Sequence, residues 1–229
     1  LNVAAGPLFT ASYTGVNAGL VIGVADDPGM HSSQNDQDSR HYAASAKIPM
    51  VEPSDSQECI DYVKAAYNLS EHYDTPVLLR MSTRIAHSQS IVETKKPLDL
   101  PLKEYKKDPA KYVMMPGYAK LKHPMVEKRT EVLREYAETS AFNQVILNKG
   151  TNVGVICAGT TYTYAREALG DRVSYLKLGL IHPMPIKLIR DFAAKMSKVY
   201  VIEELDDFIA IRIRGLQKEC GDRKRTPQK

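Results

Sequence analysis

Asp26-Asp27-Pro28-Gly29-Met30-His31-Ser32-Ser33-Gln34-Asn35-Asp36-Gln37-Asp38-Ser39-Arg40 follows directly on Gly19-Leu20-Val21-Ile22-Gly23-Val24-Ala25. The apolar run reads as a buried strand. The fifteen residues after it hold no aliphatic side chain except Met30. A connection in an α/β unit needs only about 2–6 residues, so a polar segment this long asks for a further reason. In open α/β sheets, ligands bind at the C-terminal ends of the strands. The stretch therefore points to an α/β fold with a site on this loop.

The same rhythm continues on both sides. Residues 1–13 are small and apolar and predict a helix broken only by Pro7. Residues 47–51 form a second, short strand. Ser54 caps the next helix and Gln57, three residues on, completes a capping box; the helix runs to His72. Asp74-Thr75-Pro76 leads into a third strand, Val77-Leu78-Leu79-Arg80. Strand, helix, strand at this spacing implies parallel pairing with a right-handed crossover. A second polar strand exit follows, Ser82-Thr83-Arg84-Ile85-Ala86-His87-Ser88.

Residues 93–124 contain five prolines, Pro97, Pro101, Pro109, Pro116 and Pro124. Regular structure is not expected there. A helix is predicted over 125–147, with Val132, Leu133, Tyr136 and Val145 inward. The last third repeats the pattern: strands at 152–158, 173–178 and 198–203, helices from Gly159-Thr160-Thr161 to Leu169, over 186–196 and over 205–217. Four segments result: an α/β unit at 1–92, a Pro/Lys-rich linker at 93–124, a second α/β unit at 125–220, and a disordered basic tail at 221–229.

Composition excludes some classes. The chain has 229 residues, 43% hydrophobic and 25% charged, with a formal net charge of +4. No apolar run approaches the ~18 residues of a membrane span, and no signal-peptide pattern is visible. The chain opens without Met, as if inside an element, so an N-terminal part is expected to be missing. Residues 93–129 carry ten Lys/Arg against five Asp/Glu. The segment reads as a solvated connector; the sharper alternative is contact with a phosphate-rich ligand or an acidic partner. Nucleic acid is not expected, since no stacking aromatics interleave the basic residues. Cys59, Cys157 and Cys220 form no C-x-x-C, so no cluster or zinc site is expected on this chain, and so sparse a set suits a reducing cytoplasm.

Within the loop, Gly29 permits the positive φ of a sharp turn after Asp27. His31, Ser32, Ser33, Gln34 and Asn35 offer donors and acceptors with little net charge, which suits a heteroaromatic ring or a carboxylate. The plainer reading is a loop that only caps the following helix through Asp38 and Ser39. Arg84 either holds a substrate carboxylate in bidentate fashion or pairs with Asp26, Asp27 or Glu52. Gly159-Thr160-Thr161 lacks G-x-G-x-x-G and a Walker lysine and reads as packing. The acidic cluster Glu203-Glu204 with Asp206-Asp207 reads as a helix start, and no metal ligand is expected. The residues alone give two α/β units and a polar site, without a reaction.

The segments 13–21 and 25–40 closely resemble the alpha subunits of indolepyruvate:ferredoxin oxidoreductases, within the thiamine-diphosphate-dependent 2-oxoacid:ferredoxin oxidoreductase family. Ile48-Pro49-Met50-Val51-Glu52-Pro53-Ser54-Asp55, Thr75-Pro76-Val77-Leu78-Leu79-Arg80, Thr83-Arg84-Ile85-Ala86-His87-Ser88, Leu176-Lys177-Leu178-Gly179, Pro183-Met184-Pro185 and Val201-Ile202-Glu203-Glu204-Leu205 match in order. The resemblance implies a partial pyrimidine-type thiamine-diphosphate-binding domain followed by a transketolase C-terminal-like α/β domain. It implies oxidative decarboxylation of an aryl 2-oxoacid to acyl-CoA, with electrons passed through [4Fe-4S] clusters to ferredoxin. Thiamine diphosphate with Mg2+, CoA, ferredoxin, a beta subunit and an oligomer are the implied cofactors and partners.

The resemblance places Asp27, Gly29, His31, Ser32, Ser33, Gln34 and Asn35 against substrate and cofactor. His31 is the implied catalytic contact and Arg84 a further binding or bracing residue. The family's ylid-forming glutamate, G-D-G motif and cluster cysteines have no counterpart in this sequence, so the chain is expected to be inactive alone. Two other readings remain open: a non-catalytic assembly or regulatory module, and a piece of a transketolase- or deoxyxylulose-phosphate-synthase-like enzyme.

Overall fold

The computed structural model describes residues 1–94, 96 and 102–219. The expected tail, Cys220 and part of the linker lie outside these residues. The first half runs α1 (Ala5–Thr14), β1 (Val21–Asp26), α2 (Arg40–Ala46), β2 (Met50–Val51), α3 (Ser56–Tyr73), β3 (Val77–Ser82) and α4 (Thr83–His87). Next come α5 (Pro109–Tyr112), α6 (Pro116–Thr139), β4 (Gln144–Ile146), β5 (Val153–Ala158), α7 (Thr160–Leu169), β6 (Ser174–Leu178), β7 (Leu180–His182), α8 (Ile186–Ala193), β8 (Lys198–Ile202) and α9 (Phe208–Glu219).

Two four-stranded sheets result, ordered β1-β3-β2-β7 and β4-β6-β5-β8. In the first, β1, β3 and β2 are parallel and β7 closes the edge antiparallel. In the second, β6, β5 and β8 are parallel and β4 is the antiparallel edge. Strand β7 thus belongs by sequence to the C-terminal half and by pairing to the first sheet. One core joins the sheets: Ile48, Met50 and Leu78 share a buried cluster with Ile156, Leu176 and Leu178. Each such side chain contributes about 1.5–3 kcal/mol by leaving water. A buried ion pair between Lys177 on β6 and Glu58 on α3 also crosses between the halves.

Several local expectations shift, among them the absence of regular structure at 93–124, where α5 and the first turns of α6 lie. The start of α3 is one residue later than the Ser54/Gln57 reading. Asp55, in extended conformation, accepts the Glu58 N–H at 2.8 Å. The Glu58 carboxylate reaches back to the Ser54 N–H and Oγ at 2.9 and 2.8 Å. Both registers fit the capping-box pattern in sequence; in the observed one Glu58 serves Ser54 through Oε2 and Lys177 through Oε1.

The helix expected at 125–147 instead spans 116–139, and residues 144–146 form β4. Pro116 occupies the first turn, where a missing N–H costs nothing. Pro124 sits inside the helix on its exposed side. Val126, Thr130, Leu133 and Ala137 form the buried stripe that offsets that break. Of the residues expected inward, Leu133 is buried and Tyr136 packs on the edge of the core. Val132 and Val145 are exposed. Among the described residues, no helix is long and apolar enough to cross a membrane.

Candidate functional site at the ends of β1 and β3

Strands β1 and β3 run side by side, with Asp26 opposite Ser82, so the polar segments after both emerge together. The Asp27 carbonyl accepts the Met30 N–H at 2.9 Å across a turn in which Gly29 has φ +81° and Met30 +55°. The Asp27 carboxylate is buried. It accepts the Thr83 hydroxyl at 2.5 Å on one oxygen and the Ser32 N–H at 2.6 Å on the other. Those bonds, Thr83 first, hold its carboxyl far below the usual carboxylate range. Asp27 therefore braces the loop from within and ties it to the start of α4. His31, Ser32, Ser33, Gln34 and Asn35 are exposed, although the Ser32 hydroxyl also turns back to Asp27 at 3.5 Å.

The helix-capping reading, through Asp38 and Ser39, is met only in part: Ser39, at the N-cap of α2, makes no side-chain capping bond and gives its hydroxyl to Asp26. The Asp38 carboxylate accepts the Arg40 N–H at 3.0 Å, at the first turn of α2. Capping thus involves Asp38 and leaves residues 31–35 free of it. His31, Thr83, Arg84, His87 and Ser88 line a depression of about 290 Å3. It gathers His31 from one strand exit and Arg84 from the other.

Arg84 forms none of the three ion pairs considered for it. Asp26 and Glu52 both bind Arg80, through Nε at 2.6 Å and Nη1 at 2.7 Å. Asp27 is taken by Ser32 and Thr83. Among the described residues Arg84 has no ion-pair partner, and it is exposed beside His31 and His87. Gln34 keeps its amide free of internal partners among the described residues, whereas the Asn35 Oδ1 accepts from Gln37.

Two arginines that support the site were missed from sequence. Arg80 lies in the otherwise apolar β3 and is 3% exposed. A charge in a strand buried on both faces must be paired, which is the signal that could have found it. Burial works against the charge, but the flanking carboxylates of Glu52 and Asp26 raise the guanidinium's pKa further. Its Nη2 and the Glu52 Oε2 are buried without a hydrogen-bond partner. Arg40, 1% exposed, holds Asp38 through two nitrogens and reaches Glu203 at 2.8 Å.

The other sequence motifs are internal. Gly159 has φ +51°, and a Cβ there would lie 2.4 Å from Glu52 Oε1. The turn is thus a close contact between the two halves, as its packing reading expects. Glu203 accepts the Ile209 and Ala210 N–H groups at 2.9 Å each, which caps the start of α9. Asp38, His41 and Asp206 approach one another closely, but both Asp38 oxygens already serve Arg40.

No protein-family model matches the sequence. The chain is 40% identical over 94% of its length to the indolepyruvate oxidoreductase subunit IorA of Archaeoglobus fulgidus. It is 41% identical over 90% of its length to IorA of Methanothermobacter thermautotrophicus. The chain is similar to about one third of each of these relatives. It spans 35% and 34% of the length of those two relatives. Among solved structures, a 2-oxoglutarate:ferredoxin oxidoreductase from Magnetococcus marinus, described with 2-oxoglutarate, coenzyme A and succinyl-CoA bound, superposes with a TM-score of 0.65. That match covers 93% of this chain and 46% of the other at 17% identity, and shows a shared fold. The α/β architecture expected for this IorA-related chain is the one observed.

Proposed function

We propose that this chain forms one wall of the active site of a thiamine-diphosphate-dependent 2-oxoacid:ferredoxin oxidoreductase acting on aryl pyruvates such as indolepyruvate. The observation that carries the reading is Arg84, unpaired and exposed, beside His31 in one depression at the ends of β1 and β3. The relatives named indolepyruvate oxidoreductase subunit IorA supply the substrate class.

The donor set fits a 2-oxoacid. A guanidinium presents a planar fork that matches a carboxylate, and an adjacent imidazole reaches a neighbouring keto oxygen. Ser32, Ser33, Gln34 and Asn35 extend the wall with neutral donors and acceptors that suit an aminopyrimidine ring. Among the described residues no phosphate-binding glycine turn and no free carboxylate trio fits the diphosphate and its Mg2+. Those groups, the [4Fe-4S] clusters and the CoA and ferredoxin sites are assigned to other polypeptide of a complete, cytoplasmic oxidoreductase that includes a beta subunit.

Thiamine diphosphate, when bound, supplies the carbon nucleophile and electron sink that decarboxylation requires. This chain's residues bind and orient. Arg84 fixes the carboxylate, His31 donates to the keto oxygen, and Asp27 with Gly29 holds the turn that aims His31. A viologen-coupled assay of the complete oxidoreductase with indolepyruvate, phenylpyruvate and pyruvate tests the substrate class. Higher kcat/KM for the two aryl substrates is expected; a preference for pyruvate would overturn the aryl assignment.

A further inference from the structure

The loop's two ends are closed on each other. The Asp26 carboxylate accepts the Ser39 N–H at 3.0 Å, its hydroxyl at 2.6 Å and Arg80 Nε at 2.6 Å. Residues 27–38 therefore form a closed loop whose base is rigid. The next residue, Arg40, carries the connection onward. Its Nε and Nη2 hold Asp38, its Nη1 donates to Glu203, and its Nη2 also donates to the carbonyls of Glu204 and Asp206 at 2.8 Å each. The guanidinium lies 5.2 Å from the Phe208 ring centroid. Glu203, Glu204, Asp206 and Phe208 all belong to the connection from β8 into α9, in the C-terminal half. One buried side chain thus joins the substrate-facing loop to the start of α9.

We propose that Arg40 is a positioning residue, which sets the angle of the His31 wall by clamping the loop's far end to Glu203 and the β8–α9 turn. The inference rests on the function proposed above for the loop. His41 also reaches the β8–α9 turn, bonding Asp206 at 2.9 Å and meeting the Phe208 ring edge-on, but its side chain is exposed and bonds no residue of the loop among the described residues. Arg80 closes the base of the loop but reaches only Asp26 and Glu52. A lysine cannot replace the clamp. Its single ammonium has three donors radiating from one atom, whereas the observed acceptors surround a planar fork. Glu203 is likewise committed at both oxygens: Oε2 accepts from Arg40 and from the Ile209 N–H, and Oε1 accepts from the Ala210 N–H. A shift of α9 is therefore felt by Arg40 and by the loop.

The test uses the complete oxidoreductase with Arg40→Lys and, separately, Glu203→Gln, whose one amide oxygen cannot serve Arg40, Ile209 and Ala210 as the two carboxylate oxygens do. Amide hydrogen exchange is followed at Met30, Ser32 and Ser39, whose N–H groups are bonded to the Asp27 carbonyl, the Asp27 carboxylate and the Asp26 carboxylate. Losing a charge-assisted bond at the clamp should speed exchange there about tenfold, with β3 and α3 protected as before. The indolepyruvate KM should rise about tenfold in step, with kcat held within about twofold. Unchanged exchange at the three loop amides would overturn the proposal, as would equal loss of protection across β3 and α3. The exchange measurement needs no substrate. An unaltered oxidoreductase that turns over no 2-oxoacid would therefore defeat the function reading, while the loop amides would still decide the role of Arg40.

Discussion

Arg80 donates from Nε to Asp26 and from Nη1 to Glu52, at 2.6 and 2.7 Å, and so ties the C-terminal ends of β1, β3 and β2 beneath the candidate site. All three side chains are buried. Replacing Arg80 with Met would leave two carboxylates without their counter-charge. Removal of one partner from a buried pair costs about 3–5 kcal/mol. Denaturant unfolding of Arg80→Met should show a loss of that size with an unchanged slope; a loss below about 1 kcal/mol would place the pair among surface bridges.

Gly159 packs against this same Glu52. A methyl group at Gly159 would meet Glu52 Oε1 at 2.4 Å, and the φ of +51° already disfavours a side chain. Arg80 prevents the carboxylate from retreating freely. Gly159→Ala should cost about 1–3 kcal/mol, the range for overpacking. Gly170→Ala is the control, since its φ is also positive and no atom lies within 4 Å of its hypothetical Cβ. A smaller cost at Gly159 than at Gly170 would contradict the close contact.

His182, on β7, is desolvated, and its Nε2 has no hydrogen-bond partner. Burial first, then the charges of Arg212 and Arg134, push its pKa down to about 3. The sign follows from linkage. The unfolded chain takes up the proton near pH ~6.5 and the folded one only near pH 3, so protonation favours unfolding across that window. Stability should decline as pH falls from about 6.5 toward 3, and His182→Leu should flatten that decline. An unchanged pH slope in the variant would refute the buried neutral imidazole.

Asp27 and Asp38 act lower on the pH scale. Both carboxyls are held below their ordinary values, Asp27 chiefly by the Thr83 and Ser32 bonds and Asp38 by Arg40 against its own desolvation. Their contribution is present above the unfolded pKa of about 3.9 and is lost as pH falls through the depressed folded values. Asp27→Asn should therefore weaken the protein at neutral pH and blunt its acid sensitivity below about pH 4, measured by thermal unfolding at a series of pH values.

How much of this was legible follows from how local each feature is. The polar loop and the strands around it announce themselves through composition within a single window. The start of α9 was visible in the acidic cluster for the same reason, though not that Glu203 is the residue that caps it. Elements decided by distant partners were not. Strand β7 is three residues long, and its pairing with β2 joins positions far apart in sequence. Strand β4 reads as the end of a helix until β6 supplies its partner. The prolines at 116 and 124 look like breakers in sequence; one falls in a first turn and the other on a solvent-facing side. For Arg84, spacing could not choose between substrate and ion pair. The ion pair is what the fold removes: Arg80 holds Asp26 and Glu52, and Ser32 and Thr83 hold Asp27.

The proposed function rests on Arg84 and His31 binding the 2-oxoacid. Steady-state kinetics of indolepyruvate-dependent viologen reduction by the complete oxidoreductase carrying Arg84→Met test it most directly. A carboxylate bond to a charged donor contributes about 1.5–3 kcal/mol, so the indolepyruvate KM should rise about tenfold to hundredfold with the thermal midpoint unchanged. An Arg84→Met oxidoreductase with the KM and kcat of the unaltered protein would contradict the claim.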